Sequence, residues 1–344
     1  MPQYACCPLR SCRFVSFSLP LDSYSCSTSI RSRVSPQTRS NRLTANSPVR
    51  YTSAANFNNA SRSSACKCEC PKTRKGVLPM ALTDEQREFF WENGYLPYHR
   101  ILSDEDLTAL RKRSEAIISG EVNHVPPRYI QFEAKFRDGL PAGVEPLDAV
   151  RKMTQLCYFD DVFERTARKP EIVDVIDDLI GPNIKLYTDQ LMMKPRFHGT
   201  VTDWHQDSMA WHQFAPQEHV SCWVALDDAT VENGCMTVIP GSHKWGPIDR
   251  DYKDRFLANP LLNEPVPVEL PAGSCMFHHG LNFHRTGANS TPHRRRGLAL
   301  HYIRSETMYL GIEDEEARLL TECEKPRGEF RFMLIRGKEY PGRV

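Results

Sequence analysis

No run of 18 or more apolar residues occurs in the 344-residue chain, so no segment is long enough to cross a bilayer as a helix. Acidic residues are nearly missing from positions 1–75, where only Asp22 and Glu69 face 12 lysines and arginines. The shortage then reverses, because 76–344 holds 32 basic and 41 acidic residues. The net charge of +1 therefore conceals a tail of about +10 and a body of about −9. A body short of clustered cations makes a poor nucleic-acid surface, since binding requires neutralised phosphates. No internal repeat is visible. Oligomeric state is not legible in the sequence.

The first 75 residues also lack sustained apolar periodicity, and they contain 15 serines. Arginine- and serine-rich, acid-poor composition is that of a chloroplast or mitochondrial transit peptide. A secretory signal fits less well, because Ser16, Ser18 and Pro20 interrupt the one apolar stretch, 14–21. The alternatives are a disordered tail without an address and a tail-less cytoplasmic form starting at Met80. Seven of the twelve cysteines fall in this tail, and the alternate spacing of Cys66, Cys68 and Cys70 departs from the paired two-residue gaps of zinc sites. Cys157, Cys222, Cys235, Cys275 and Cys323 of the body sit among apolar neighbours and read as reduced packing residues.

In the body, Thr83-Asp84-Glu85-Gln86 forms a capping box, so a helix starts there and stops at Gly94. Ser103 caps a second helix, with Leu107, Leu110, Ile117 and Ile118 near helical spacing. Pro170 and Gly181 bracket a third, whose apolar stripe is Ile172, Val173, Ile176, Leu179 and Ile180. Everything catalytic is expected beyond it. From 184 to 304 the pattern changes to short runs broken by Pro, Gly and Asn, with strands predicted at 184–194, 219–226, 235–239, 266–270, 274–279, 282–287 and 296–304. Such a series implies a closed or double-sheet β architecture.

Three segments in this region carry chemistry: Trp204-His205-Gln206-Asp207, Phe277-His278-His279-Gly280-Leu281-Asn282-Phe283-His284, and Arg294-Arg295-Arg296. On a strand, His205 and Asp207 at i and i+2 point to one face, so one metal can take an imidazole and a carboxylate from the same segment. With His284 they make the two-histidine, one-carboxylate facial set of non-haem Fe(II) oxygenases, leaving three positions open. Two positions suit the chelating oxygens of 2-oxoglutarate and the third suits O2. Both histidines must be neutral to bind, so iron affinity is expected to fall between pH 7.5 and 5.5. Arg295, eleven residues past His284, can aim a guanidinium at the same dicarboxylate. Alternation makes Arg295 face inward only if Leu298 and Leu300 face out, and phase alone does not fix that choice.

From about Leu82 to Ile303 the chain resembles the phytanoyl-CoA dioxygenase family of Fe(II)- and 2-oxoglutarate-dependent oxygenases. The resemblance is carried by 89–96, Gly181-Pro182-Asn183, 190–195, His205-Gln206-Asp207, Glu232-Asn233-Gly234-Cys235, Ile239-Pro240-Gly241-Ser242-His243, and 279–284 through to Arg295. It implies one domain over 76–344, mainly β with flanking helices, as a double-stranded β-helix (jelly roll or cupin-like) with its core at about 184–304. It selects Arg295 for the far carboxylate, leaving Arg294 and Arg296 as surface charges. Thr286 resembles a hydroxyl that helps hold the same group, Trp223 an aromatic wall beside the co-substrate, and Gln190 a co-substrate contact. Each of these three has a packing role as its alternative. His279 fits a family position next to the metal strand, His243 reads as a packing residue, and His212, His219, His278, His293 and His301 have no argued role. Trp204, Trp211, His212 and Phe214 either line a substrate cavity or simply pack.

The implied reaction is oxidation of an unactivated C–H bond of a small-molecule substrate. The outcome is an alcohol, a closed ring or a desaturation, with release of succinate and CO2, and ascorbate as a stimulant. Asp207 disfavours halogenation, because related halogenases lose this carboxylate to make room for chloride. A small carboxylated metabolite is preferred over an acyl-CoA, since the acidic body shows no basic cluster suited to CoA phosphates. Lys152, Arg128 and Arg255 are candidates for an anionic group. The competing readings are an acyl-CoA 2-hydroxylase, a cupin-like metalloenzyme that needs no 2-oxoglutarate, and a binding protein without turnover.

Overall fold

The computed structural model describes residues 81–211, 213–310 and 332–344. The transit-like tail with Cys66, Cys68 and Cys70, the start at Met80, His212 and Cys323 lie outside the described residues. Helices are α1 (Asp84–Asn93), α2 (Asp104–Ser119), α3 (Leu156–Phe159), α4 (Asp161–Ala167), α5 (Pro170–Ile180) and α6 (Lys253–Leu257). Strands up to the middle of the chain are β1 (Tyr95–Arg100), β2 (Ile130–Phe132), β3 (Val150–Thr154), β4 (Ile184–Lys194), β5 (Thr202–His205), β6 (Phe214–Ala215) and β7 (Val220–Ala225). The remainder are β8 (Met236–Val238), β9 (Val266–Val268), β10 (Ser274–His279), β11 (His284–Thr286), β12 (Arg295–Arg304), β13 (Met308–Tyr309) and β14 (Met333–Arg336).

The local signals act through hydrogen bonds at the helix ends. Thr83 accepts from the Gln86 N–H while the Gln86 side chain accepts from the Thr83 N–H, and Gly94 closes α1 at φ 79°. Ser103 and Asp106 make the same reciprocal pair at the start of α2. The apolar stripe predicted for α5 is buried along its whole length.

Among the described residues the strands form a large antiparallel sheet in the order β1-β10-β7-β12-β4-β3-β2, with β14 also on β4. A second sheet runs β5-β11-β8-β9. One core layer joins the outer face of the large sheet (Leu191, Val224, Phe277, Leu298, Leu300) to α2, α4 and α5. Another lies between the sheets, where Trp223, Met276 and Ala299 meet Met236, Val238 and Val268. Two packed antiparallel sheets with sequence-distant neighbours make the double-stranded β-helix, with helices against one face.

The large sheet also recruits β1, β2, β3 and β14 from outside 184–304, strands that the sequence signals did not mark. They are short or irregular: β1 carries Pro97 but is an edge strand, where a missing N–H is tolerated. Cys157, Cys222, Cys235 and Cys275 are free and buried, and burial holds the Cys157 and Cys222 thiols well above their usual range.

Candidate active site

Strands β5 and β11 pair antiparallel with His284 directly opposite His205, which sets the two rings 4.2 Å apart between centroids. Asp207 lies just past β5, at the start of a short 3-10 turn (Asp207–Met209), not on the strand as the i, i+2 argument assumed. Gln206 between them stays extended, so both side chains still reach one side. The Gln206 amide points the other way: it donates to the Gly246 and Leu281 carbonyls and accepts from the Ile248 N–H, pinning the turn.

One ligand atom from each of His205, Asp207 and His284 falls within 4.8 Å of the others. The Asp207 Oδ1 is 3.8 Å from His205 Nε2 and 3.7 Å from His284 Nε2. His205 Nδ1 donates to the Asp203 carbonyl at 2.8 Å, and His284 Nδ1 to the Asn282 carbonyl at 3.0 Å. With those protons on Nδ1, both Nε2 lone pairs face Asp207, the tautomer a metal requires. Burial, followed by the neighbouring His205, pushes the His284 imidazole down to about 3, so its nitrogen is proton-free near neutrality.

Sequence reasoning gave His278 and His301 no role, yet they sit behind Asp207. His278 and His301 both stand opposite Ser221 in register, a row across β10, β7 and β12. Asp207 Oδ2 accepts from Ser221 Oγ at 3.2 Å and from His278 Nε2 at 3.1 Å, and Ser221 Oγ lies 2.6 Å from His301 Nδ1. Burial alone would raise the Asp207 carboxyl, but His284, the His278 hydrogen bond and His301 outweigh it and hold it well below the usual carboxylate range. One oxygen is thus anchored and Oδ1 left for a cation. Alternation could have placed these three on the inner face, but which strands are neighbours is not a local property.

The three ligand atoms open onto a cavity of about 80 Å³, at whose wall lie Gln190, Trp223, Thr286 and Arg295. Arg295 is 1% exposed, and its Nη2 donates to the Gly234 carbonyl at 3.0 Å. Its Nε and Nη1 have no hydrogen-bond partner, nor does the buried Thr286 hydroxyl. A buried cation with two orphaned donors points to a missing anion. Burial pushes the guanidinium down to about 10, which leaves it charged at neutral pH. Its carbon lies 5.4 Å from the Trp223 ring centroid, within cation–π range. Two glycines make this arrangement possible. A Cβ on Gly297 would meet the Trp223 ring at 2.0 Å, and one on Gly234 (φ 85°) would meet the Gly287 carbonyl oxygen at 2.4 Å.

The expectation for the other arginines is corrected. Arg296 is buried on the opposite face of β12, where it pairs with Asp227 and Glu115, and Arg294 forks onto Asp148. Leu298 and Leu300 do face away from the cavity, but they are covered by the helical layer.

The metal-ligand candidates and Arg295 all lie past α5, while Glu133, Arg151 and Lys152, from segments before it, also border the cavities. Buried Glu133 accepts from the Thr200 N–H and hydroxyl, while Lys194 donates to the Thr200 carbonyl. Burial, and then Arg295 opposite it on β12, pushes the Lys194 ammonium down to about 7. Phe214 packs with Ile303 and Phe332 rather than lining the cavity, whereas Trp204 and Trp211 border an outer one. His243 bonds the Trp91 carbonyl and His279 packs on Trp91, both turned away from the ligand cluster. Of the three candidates for an anionic group, Lys152 borders the outer cavity, while Arg128 lies over Tyr129 and Arg255 is exposed on α6.

A family model described as phytanoyl-CoA dioxygenase matches residues 90–297. A probable phytanoyl-CoA dioxygenase of Caenorhabditis elegans is 28% identical over 274 residues, covering 73% of this chain and 84% of the relative. The peroxisomal phytanoyl-CoA dioxygenase of Mus musculus is 29% identical over 274 residues, covering 74% and 79% respectively. Among solved structures, EctD from S. alaskensis with bound Fe matches with a TM-score of 0.58 at 22% identity, covering 78% of this chain and 89% of that one. The last likeness is one of fold, while the match over 90–297 takes in both histidines, the aspartate and the arginine. This chain belongs to the phytanoyl-CoA dioxygenase family.

Proposed function

We propose that the chain is an Fe(II)- and 2-oxoglutarate-dependent oxygenase that oxidises an unactivated C–H bond of a small organic metabolite, with hydroxylation as the outcome. The observation that carries this is the His205, Asp207 and His284 cluster opening onto the same cavity as the partly unsatisfied Arg295 guanidinium. Two neutral imidazoles and one carboxylate suit a divalent iron better than Mg²⁺ or Ca²⁺, which prefer oxygen alone, or a closed four-ligand zinc site. Arg295 Nε and Nη1 together with Thr286 Oγ1 supply orphaned donors for a carboxylate.

His205, Asp207 and His284 would hold the iron, and Arg295 with Thr286 the far carboxylate of 2-oxoglutarate. When bound, the pair supplies an O2-derived oxidant able to take hydrogen from an unactivated carbon, with succinate and CO2 released. The protein's own work is orientation. The Asp203 and Asn282 carbonyls fix the imidazole tautomers, and Ser221 and His278 fix the carboxylate. Trp223 and Met236 wall the cavity with apolar surface, which keeps water from competing for the arginine fork. Gln190 stands at the junction between this cavity and the outer one, within reach of a bound co-substrate or substrate.

The test is anaerobic titration of purified protein with Fe(II) and then 2-oxoglutarate, read by the visible charge-transfer band of the chelate. A band that vanishes in Asp207→Ala supports the reading. Well-folded, iron-loaded protein that gives no band would favour a cupin-like metalloenzyme, for which Arg295→Ala should leave turnover intact. The arginine- and serine-rich first 75 residues support a second proposal, delivery to a chloroplast or mitochondrion. A fluorescent fusion of residues 1–80 that stays in the cytosol would refute it.

A further inference from the structure

Beside the inner cavity lies an outer one of about 450 Å³, and the two share Arg151, Gln190, Met192, Thr202, His205 and Asp207 at their junction. A molecule in the outer space therefore meets His205 and Asp207 along a wall to which Arg295, which borders the inner cavity, does not contribute. Its wall carries four cations in a body that is otherwise acidic: Arg151 and Lys152 from β3, Arg250 just before α6, and Lys253 on α6. The acids on the same wall are Asp203, which is tied to Lys253, and Asp207, which is committed to the metal cluster. Among the described residues no carboxylate comes within 4.0 Å of Arg151, Lys152 or Arg250. Lys152 has only the Gln190 side-chain oxygen, at 3.4 Å, and Arg151 only the Thr200 hydroxyl, also at 3.4 Å.

Arg151 and Lys152, adjacent, half-buried and without a carboxylate partner, repel each other and cost desolvation unless an anion joins them, while Arg250 is exposed on the same wall. Burial, and then Arg151, already lowers the Lys152 ammonium. Trp204, Trp211 and Met209 supply the apolar part of the same wall. We infer that the outer cavity is a substrate subsite for an organic anion, whose carboxylate or phosphate head is held by Arg151, Lys152 and Arg250 while an apolar segment presents its C–H bond to the metal cluster. The inference rests on the oxygenase reading above and names the class of substrate for that site. The sequence showed no basic cluster suited to CoA phosphates, and these cations, about a hundred residues apart in sequence, meet only in the fold.

The experiment uses Fe(II)- and 2-oxoglutarate-saturated protein under anaerobic conditions. It is titrated with hexanoate, pentyl phosphate, coenzyme A and the uncharged hexanamide, and binding is read by calorimetry and by perturbation of the charge-transfer band. The expected result is that at least one anion binds about tenfold or more tighter than hexanamide, as charge-assisted hydrogen bonds to a desolvated head provide. That preference should shrink toward unity in Arg151→Gln/Arg250→Gln and in Lys152→Gln, and should weaken between 50 and 500 mM KCl. The stronger of hexanoate and pentyl phosphate identifies the head group, and tight binding of coenzyme A places phosphates of a larger carrier there. Hexanamide binding as well as the anions, or a preference that survives in both variants, overturns the inference. If wild type binds 2-oxoglutarate with a normal band yet shows no anion preference, only this inference fails. Absence of the band brings down the oxygenase reading as well.

Discussion

Replacing Arg295 with methionine should separate two quantities that usually fall together, stability and ligand binding. In the ligand-free protein the guanidinium is 1% exposed and makes a single hydrogen bond, to the Gly234 carbonyl. Burial lowers its pKa from 12.5 to about 10, equivalent to roughly 3 kcal/mol against the charged form. Methionine removes that penalty and also removes the Gly234 bond and the Trp223 contact, worth together roughly 2–4 kcal/mol. These terms nearly cancel, so the ligand-free Tm should move by no more than about 4 °C. Co-substrate binding has no such cancellation. Nε and Nη1 are the donors left for a carboxylate, and two charge-assisted bonds at about 1.5–3 kcal/mol each predict roughly 10²–10⁴-fold weaker 2-oxoglutarate binding. Differential scanning fluorimetry and anaerobic titration of the band measure the two quantities on one sample. An affinity within threefold of wild type would refute the assignment of Arg295, and a Tm loss above about 10 °C would show that its role is structural.

Three further outcomes follow from the geometry. His278→Phe, which deletes the hydrogen bond to Asp207 Oδ2 and touches no proposed iron ligand atom, should weaken Fe(II) binding roughly 10–100-fold by anaerobic calorimetry; unchanged affinity would remove its orienting role. Gly297→Ala must displace the Trp223 ring, costing about 1–3 kcal/mol and shifting tryptophan emission, whereas an unshifted Tm and spectrum would show that the ring has room to move. Stability should fall in acid. His219 is lowered to about 4, and His279, His284 and His301 to about 3, in each case first by burial. The unfolded chain takes up these protons near pH 6.5 while the folded chain does not, so stability is full above that pH. It declines from there down to about pH 3–4, by up to about 1.4 kcal/mol per pH unit for each ring. Urea unfolding at pH 7, 6 and 5 with constant free energy would contradict this.

Much of the fold and part of the site is written locally. The reciprocal caps at Thr83 and Ser103, the Pro170 start of α5 and the Pro, Gly and Asn residues that break the chain between β4, β7, β10 and β12 all act between residues a few positions apart. That is why the sequence alone determined where these elements begin, and why His205, Asp207 and His284 could be singled out by type and spacing, whereas Arg295 was selected by the family resemblance. The tertiary structure decided which faces meet. Phase along β12 allowed Arg295 or Arg296 to point inward, and the choice was made by Asp227 and Glu115, which capture Arg296 on the helical side. The row of His278, Ser221 and His301 exists only because β7 lies between β10 and β12. The cations at Arg151, Lys152, Arg250 and Lys253 share a wall only after β3 joins the sheet and the segment around α6 brings Arg250 and Lys253 to the same cavity. No short-range rule reaches across such separations: strand order and charge convergence are set by burying both faces of the large sheet at once, a property of the whole chain.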